Sequence, residues 1–181
     1  MDIERFLDRS HRLPLSYGPA GILEQRPKGG ALGEQVVTIG RGDADFERAR
    51  RALVGWKHFD IGWADVFPQT SIAVGTDVAV LVRHLGFWSL NGVRVLYHVG
   101  RTEPQAAFGF AYGTLTNHAL SGEELFEVFI DDSGEVRYRI RAVSWPQNAV
   151  TSIGQPFTRL LQARFRRHSA AAMKCATSGD A

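Results

Sequence analysis

Three titratable residues in the middle of the sequence form a pattern that suits acid–base chemistry. His118 falls in a turn-like segment, and Glu123 and Glu124 begin the strand predicted to follow it. A histidine and a carboxylate placed in this way can act as a general base and the group that orients it. Glu123 and Glu124 must point to opposite faces of a strand, so at most one of them can serve a common site. Tyr112 is a third candidate for a catalytic role.

Glu124 shares its strand face with apolar residues such as Phe126 and Ile130. A carboxylate on such a face needs a partner, because an unpaired buried charge is costly. Arg164 and His168 fall within the apolar arc of the final helix, and a pair between Glu124 and one of them would orient the polar end of a ligand. Alternatively, Arg164 extends its head group to water and His168 sits at the helix end.

Aromatic and small residues alternate along one predicted strand. One face carries Phe108, Phe110, Tyr112 and Thr114, and the other carries Gly109, Ala111 and Gly113. A face of small residues permits the close approach of a helix backbone or a ligand. The alternative is a bend where a strongly curved sheet wraps round the last helix, since interior glycine often marks such a bend.

Metal and cofactor chemistry find little support in the sequence. His84, His98 and His118 lack the short ligand spacings of zinc motifs, and Cys175 stands alone, with no base beside it to make it a nucleophile. Phosphate-binding loops, nucleophile elbows and dinucleotide fingerprints are also absent from the sequence. We therefore expect neither a metal nor a cofactor.

Composition and charge narrow the class of protein. The chain has 181 residues, 44% of them hydrophobic and 22% charged, which predicts one globular domain over residues 1–181. A net charge of +2 gives no global field that would attract nucleic acid. The single cysteine is consistent with a reducing compartment. Residues 1–12 lack the apolar core of a signal peptide, and no stretch approaches the roughly 20 apolar residues that span a bilayer, so a cytoplasmic protein without a transmembrane segment is expected.

Alternation with a period of two predicts an antiparallel sheet. The predicted strands are residues 35–39, 74–83, 93–99, 106–115, 123–130 and 136–145. Asn91-Gly92 and Asp132-Ser133-Gly134 are turn signals, so a meander is expected. In the last strand apolar residues alternate with Arg137, Arg139 and Arg141. One face of the sheet is therefore expected to be buried and the other solvated.

Helical spacing predicts two main helices. Apolar residues recur at helical spacing from Phe46 to Trp56, with Asp43 as a plausible N-cap. The final helix is expected to begin between residues 148 and 156, where Ser152 and Gln155 have capping-box spacing. On it, Phe157, Leu160, Leu161 and Phe165 share one side, and Arg159, Arg166, Arg167 and Lys174 lie opposite. Residues 1–33 are predicted to be an irregular lead-in with a short helix, and residues 175–181 a frayed tail.

Several segments carry a resemblance to one known family. They are FGFAYGTL at 108–115 followed by His118 and SGEELF at 121–126, WKHF at 56–59, HLGFWSLN at 84–91, and the stretch 156–167. Together they span most of residues 17–173, and they closely resemble an uncharacterised family of bacteria and plants, the domain of unknown function DUF1990. This chain departs from the family pattern at Thr116-Asn117, where Pro-Gly is usual. It also has Ser144-Trp145-Pro146 in place of Ser-Arg-Pro, so any role of that arginine does not carry over.

The resemblance implies kinship with Bet v 1-like and START-like proteins and brings no established activity. It agrees with the order of the predicted elements, which is that of the helix-grip architecture. That architecture is an α+β fold in which a curved antiparallel sheet wraps round a long C-terminal helix and leaves a cavity between them.

These observations predict a protein that binds or transfers a small apolar or amphipathic molecule, such as a lipid-like one, in that cavity. The expected ligand contacts are Phe108, Phe110, Tyr112, Thr114, Glu124, Phe126, Trp88, Phe157, Leu161, Arg164 and His168. The first alternative is a cyclase- or hydrolase-like enzyme that uses the same cavity. The second is a membrane- or protein-contact module built on residues 85–90, which are either exposed at one end of the sheet or part of the core.

Overall fold

Helices at both ends of the chain flank a run of strands in the computed structural model, which describes residues 2–25, 30–69, 72–84, 86–102, 106–147 and 155–178. The helices of this part are α1 (Ile3–Ser10), α2 (Ile22–Gln25), α3 (Gly42–Val54) and α4 (Gln155–Ser178), with a 3₁₀ turn at Lys57–Phe59. The strands are β1 (Ala31–Arg41), β2 (Ala64–Phe67), β3 (Asp77–His84), β4 (Phe87–Arg101), β5 (Ala107–Thr114), β6 (Leu120–Ile130) and β7 (Glu135–Pro146).

The seven strands form one antiparallel sheet in the order β1-β7-β6-β5-β4-β3-β2. Strands β2 to β7 follow each other as a meander, and β1 closes the order by pairing with β7. Helix α4 packs on one side of this curved sheet against β1, β7 and α3. The expected α+β helix-grip architecture is confirmed.

The main core lies between the concave face of the sheet and helices α3 and α4. Helix α3 contributes Phe46, Ala49 and Leu53, which recur at the spacing that predicted the helix, because that spacing places them on one face. The expected N-cap at Asp43 is wrong. Arg41 occupies the cap position, and its backbone N–H donates to the Asp45 carboxylate at 2.7 Å.

A second, smaller core covers the convex face of the sheet. Leu23 of the N-terminal segment packs there with Ala111 and Val143. The small-residue face of β5 therefore meets the N-terminal segment, not a ligand or the last helix as expected. A Cβ added at Gly113 would overlap the hydroxyl of Tyr17, so the glycine is required by this close approach.

Glu123 fastens the N-terminal segment to the convex face. Its carboxylate is 2% exposed and accepts hydrogen bonds from the Tyr97 hydroxyl at 2.6 Å, the Gly21 backbone N–H at 2.9 Å and the Tyr17 hydroxyl at 3.1 Å. Gly21 has a φ of 91°, a left-handed conformation that costs glycine little. We refer to these four residues as the Glu123 clamp.

The turn expected at Asn91-Gly92 is wrong, because both residues lie inside β4 opposite Val80 and Ala79. The side chain of Asn91 supplies the polar contacts that made it resemble a turn residue, donating to the Val80 carbonyl at 3.4 Å and accepting from the Ala119 N–H at 3.2 Å. The turn predicted at residues 132–134 is confirmed between β6 and β7. Strand β2 was not predicted, since it has only four residues.

The C-terminal tail is helical for longer than the sequence suggested. Helix α4 continues through Cys175 to Ser178, and Thr177 is fully buried. The backbone carbonyl of Thr177 accepts a hydrogen bond from Arg48 Nε at 2.8 Å, which ties the end of α4 to α3. At the other end Pro156 lies in the first turn of the helix, where its missing N–H is tolerated. The capping box expected at Ser152 lies outside the described residues.

The arginines of β7 do face the convex side, but each has a partner there. Arg137 contacts Asp131 at 2.7 Å, Arg139 contacts Glu127 at 2.9 Å, and Arg141 donates to the Leu23 carbonyl at 2.8 Å. The basic stripe seen in the sequence is therefore a set of paired side chains that covers the sheet.

Candidate functional site

A cavity of about 300 Å³ lies between α4 and the concave face of the sheet. Helix α4 lines it with Phe157, Thr158, Leu161, Gln162, Phe165 and Arg166, and the sheet contributes Val80, Val82, Tyr112, Thr114, Glu124, Ala142 and Ser144. Phe59 and Trp63 reach it from the segment after α3, and His118 from the connection between β5 and β6. The lining is mostly apolar, with a few polar side chains.

Glu124 and Tyr112 form the most closely bonded polar pair of the cavity. They lie directly opposite each other on β6 and β5, and the Tyr112 hydroxyl donates to Glu124 Oε2 at 2.6 Å. Burial raises the pKa of the Glu124 carboxyl to about 7, while the Tyr112 hydrogen bond and the charge of Arg166 act in the opposite direction. Burial also raises the pKa of Tyr112 well above its usual value. Near neutral pH, Glu124 is therefore poised between its two protonation states.

Arg166 brings a positive charge to the cavity from α4. Its guanidinium lies over Gly33 of β1, and a Cβ at that glycine would come within 2.7 Å of an Arg166 terminal nitrogen. Gly33 pairs with Ala142 of β7, so two small residues leave room for the guanidinium. Among the described residues, neither an ion pair nor a hydrogen bond is found for this guanidinium.

His118 lines the same cavity as a neutral ring. Its Nδ1 lies 2.9 Å from the amide nitrogen and 3.0 Å from the carbonyl oxygen of Leu120. Burial lowers the pKa of His118 to about 4, because the charged imidazolium is poorly solvated there. The ring is thus uncharged at neutral pH.

Only some of the residues expected to contact a ligand line the cavity. Tyr112, Thr114, Glu124, Phe157 and Leu161 do so, together with the catalytic candidate His118. Phe110 and Phe126 are fully buried in the core below it, and Phe108 packs against that core. The alternation along β5 and β6 correctly grouped these residues on one face, but the aromatic side chains there fill space between the sheet and α3.

Of the two alternatives for Arg164 and His168, the pair with Glu124 is not formed. The Arg164 guanidinium stacks on the Trp63 ring, 4.7 Å from its centroid, and His168 Nδ1 accepts from Trp63 Nε1 at 3.2 Å. Both side chains lie on the flank of α4 that faces Trp63. Arg166, which the helical wheel placed on the solvent side, acts on Glu124 instead.

Phe87 and Trp88 are exposed on the hairpin between β3 and β4. Phe87 is 71% and Trp88 50% exposed, and the Arg83 guanidinium stacks on Trp88 at 4.3 Å. Trp88 does not line the cavity, and the interpretation of these two residues as core is wrong. Their strand positions follow a turn at Gly86, whose φ of 78° is left-handed.

An aromatic cluster with two unsatisfied polar groups lies under the cavity floor. His58 stacks on Trp56, with ring centroids 5.5 Å apart, and contacts Phe126 at 4.4 Å. Both nitrogens of His58 and Trp56 Nε1 lack a hydrogen-bond partner within the described part of the chain. Burial lowers the pKa of His58 to about 3.

A family model described as "Domain of unknown function (DUF1990)" matches residues 16–172, a stretch that contains the sheet and most of α4. The chain belongs to the DUF1990 family. This DUF1990 chain is 36% identical over 141 residues to a UPF0548 protein of Arabidopsis thaliana, covering 76% of this chain and 68% of the plant protein. It is 34% identical over 181 residues to a UPF0548 protein of Deinococcus radiodurans, covering 93% of this chain and 90% of that one.

A solved structure with little sequence identity shares the fold of this DUF1990 chain, and a second one has a lower TM-score. The hypothetical protein jhp0584 from Helicobacter pylori has a TM-score of 0.54 at 13% identity, covering 89% of this chain and 95% of that one. Ara h 8.0201, a Bet v 1-like protein, has a TM-score of 0.49 at 11% identity, covering 84% and 100%. At such identities the likeness concerns the fold alone.

One departure from the DUF1990 pattern has a visible structural role. Asn117 takes the place of the usual glycine, and its Nδ2 donates to the buried Ser10 hydroxyl at 2.9 Å, holding α1 against the sheet. At the other departure, Trp145 packs edge-on against Tyr17, 6.0 Å between ring centroids, on the convex face.

The polar stripe of α4 is the part of the DUF1990 site that the sequence analysis missed. Thr158, Gln162 and Arg166 are spaced four residues apart and run beside Phe157, Leu161 and Phe165, which have the same spacing. Two such parallel rows predict one lining face with an apolar and a polar half. This spacing was the sequence signal that could have identified Arg166 as a residue of the cavity lining.

The described residues contain neither a cluster of metal ligands nor a membrane-spanning helix. Within them, no three His, Cys, Asp or Glu side chains are grouped so as to hold a metal ion. In the same part of the chain, no helix has the length and apolarity needed to cross a membrane.

Proposed function

We propose that this DUF1990 protein binds a small apolar or amphipathic molecule in the cavity between the sheet and α4. The observation that carries the proposal is the cavity itself, about 300 Å³ with an apolar lining and a few convergent polar groups. Ligand sites of proteins have this character, and the smallest of them have a volume of about 300 Å³. A fully packed core, by contrast, leaves few voids larger than a water molecule.

A neutral fluorescent probe tests the proposal. N-phenyl-1-naphthylamine brightens when it leaves water, so we expect a saturable signal with the wild type. Ala142→Phe adds a ring on the concave face at the cavity wall, and we expect it to weaken probe binding by about tenfold or more. Val36→Phe adds the same ring on β1, where Val36 is 41% exposed, and we expect unchanged binding.

The two variants together separate cavity binding from surface adsorption. An equal loss in both variants, or no saturable signal with the wild type, would show that the cavity does not take up the probe. Native mass spectrometry of the purified protein gives an independent measurement, since a retained cell-derived molecule should be present in the wild type and depleted in Ala142→Phe.

An acid–base enzyme that uses the same cavity is a second candidate. The specific observation in its favour is the 2.6 Å Tyr112–Glu124 bond inside a ligand-sized space, with His118 on the same wall. A carboxyl with a pKa near 7 can both accept and donate a proton at neutral pH. Incubation of the protein with a cell-extract metabolite mixture tests this: we expect a component to be converted by the wild type but not by Glu124→Gln that still binds the naphthylamine probe.

A further inference from the structure

The charges of the cavity wall are not balanced by the protein alone. Arg166 is only partly buried, yet it has neither an ion pair nor a hydrogen bond among the described residues. Glu124, the carboxyl on which its charge acts, forms no ion pair with it and already accepts the Tyr112 hydroxyl. A positive charge beside an apolar space without a partner favours a ligand that brings the opposite charge.

The backbone of the sheet also leaves room for the guanidinium. Gly33 and Ala142 leave a shallow recess on the concave face, and the Arg166 guanidinium lies over Gly33. Thr158 and Gln162 precede Arg166 on the same row of the helix. Gln162 Nε2 donates to the Ser144 hydroxyl at 2.8 Å. The polar half of the cavity is thus at Arg166, and the apolar half is formed by Phe157, Leu161 and Phe165.

This inference rests on the proposed function and names the class of ligand. We propose that the cavity takes an apolar molecule that bears a carboxylate, with the carboxylate bound by Arg166 and the apolar body held among Phe157, Leu161 and Phe165. Gly33 is a positioning residue in this arrangement, because any side chain there displaces the guanidinium.

Glu124 makes the binding depend on pH. The groups that act on it are Tyr112 on β5, Tyr138 on β7 and Arg166 on α4, and His118 lines the same cavity. Both tyrosines have a raised pKa and His118 a lowered one, so Glu124 is the member of this set that titrates near pH 7. Its protonated form tolerates a neighbouring carboxylate and its ionised form repels it. Affinity for the ligand therefore falls as the pH rises past about 7.

Three probes that share the same length of alkyl chain and differ in the charge of the head group test the proposal on the full-length protein. Decanoate, decanamide and decylammonium each compete with the naphthylamine probe at pH 6, where Glu124 is mostly protonated. We expect decanoate to bind about tenfold tighter than decanamide, and decylammonium to bind weakest. Between pH 6 and pH 8 decanoate should weaken by about tenfold, and Glu124→Gln should remove that dependence.

Two variants and one control localise the effect. Arg166→Gln should bring decanoate to the affinity of decanamide, and Gly33→Ala should weaken decanoate while leaving decanamide unchanged. Arg167→Gln removes the same charge from the exposed side of α4, away from the cavity lining, and should change nothing. Because Gly33→Ala retains the arginine, it tests the site even if Arg166→Gln disturbs folding.

The outcomes distinguish this inference from the proposed function. If decanoate and decanamide bind equally, or decylammonium binds tightest, the carboxylate assignment is overturned while cavity binding stands. If the naphthylamine probe itself fails to bind the wild type, the proposed function fails first. A tenfold preference for decanoate that Arg167→Gln abolishes as fully as Arg166→Gln also overturns the assignment, since the charge would then act from outside the cavity.

Discussion

Unsatisfied polar atoms in the core are the most costly feature at the scale of single residues. His58 is fully buried and neutral, and its nitrogens have no partner within the described residues. Trp56, two residues before His58, has a φ of 57°, a left-handed conformation that costs a non-glycine residue about 1 kcal/mol or more. This backbone turn takes the chain from α3 under the sheet and places both rings in the aromatic cluster.

The lowered pKa of His58 predicts a loss of stability in acid. The folded-state pKa is about 3 and the ordinary value is 6.5, so below pH 6.5 the unfolded chain binds a proton that the folded chain does not. This contribution fades as pH falls from 6.5 towards 3, by about 1.4 kcal/mol per pH unit for one such group. We expect His58→Phe to reduce the slope of the free energy of unfolding against pH below pH 6.5.

Urea denaturation at several values between pH 4 and pH 7 measures that slope. His98→Phe is the matched control, because His98 is exposed on β4. The slope should decrease more in His58→Phe than in His98→Phe, and His118, whose pKa burial also lowers, contributes to what remains. Equal slopes in the wild type and His58→Phe would contradict the assignment.

Strand alternation predicted the environment of Glu124 but not the arginine whose charge acts on it. A period of two fixes which face a side chain occupies, so Glu124 could be grouped with Phe126 from the sequence. Arg166 lies on α4, and the rotation of a helix about its axis depends on packing against β1 and β7. Arg164 and Arg166 lie about 200° apart on a helical wheel, so the two exchange places only if the wrong side of the helix is turned towards the cavity.

Helix α4 illustrates, at the scale of elements, how a helix end is stabilised from outside. Its last turn has no basic residue, yet Arg48 of α3 donates to the Thr177 carbonyl at 2.8 Å. This bond satisfies one of the carbonyls left without a partner at a helix C-terminus. Composition alone suggested a frayed tail, because the contact comes from a residue far away in the sequence.

Removal of the last turn should therefore destabilise the protein. A chain that ends at Lys174 loses the buried Thr177, the partly buried Ala176 and the Arg48 bond, and we expect a cost of about 2 kcal/mol. Cys175→Ser in the full-length chain is the control, since Cys175 is exposed. The midpoint of urea unfolding checks the prediction, and an unchanged midpoint in the truncated chain would mean that the turn contributes nothing.

Strand β4 shows where turn signals fail. Asn-Gly is the strongest short-range hairpin signal because both residues tolerate positive φ. In this chain Asn91 and Gly92 remain extended, since Asn91 bonds across to Val80 and Ala119, and a side chain at Gly92 would overlap Asn117. Both reasons are tertiary contacts, which a local signal does not contain.

The whole molecule is held together by contacts on both faces of one sheet. The order of strands and helices predicted the concave face and the closing helix. The convex face was expected to be solvated, but residues of the first segment cover part of it around Leu23. A Pro- and Gly-rich segment has no periodicity from which such docking could be predicted.

The Glu123 clamp should determine whether that segment stays in place. Glu123→Gln replaces one buried acceptor oxygen with a donor facing other donors, so we expect a loss of about 2–4 kcal/mol. Glu127→Gln is the control, because Glu127 lies on the same face of β6 and is more exposed, where an ion pair is worth about 0–1 kcal/mol. Amide hydrogen exchange around Tyr17 and Gly21 should accelerate in Glu123→Gln and not in Glu127→Gln. Equal exchange in the two variants would show that Glu123 does not hold the segment.

Glu123 and Glu124 are neighbours in the chain, yet their side chains lie on opposite faces of the sheet and have different roles. One carboxylate accepts fixed bonds on the convex face, and the other titrates in the cavity. A substitution at Glu124 therefore leaves the Glu123 clamp intact, and the chemistry of the cavity can diverge among relatives without loss of the frame. A one-residue insertion early in β6 would exchange the two positions and alter both at once. Tolerance to substitution and intolerance to insertion at this point follow from the same alternation.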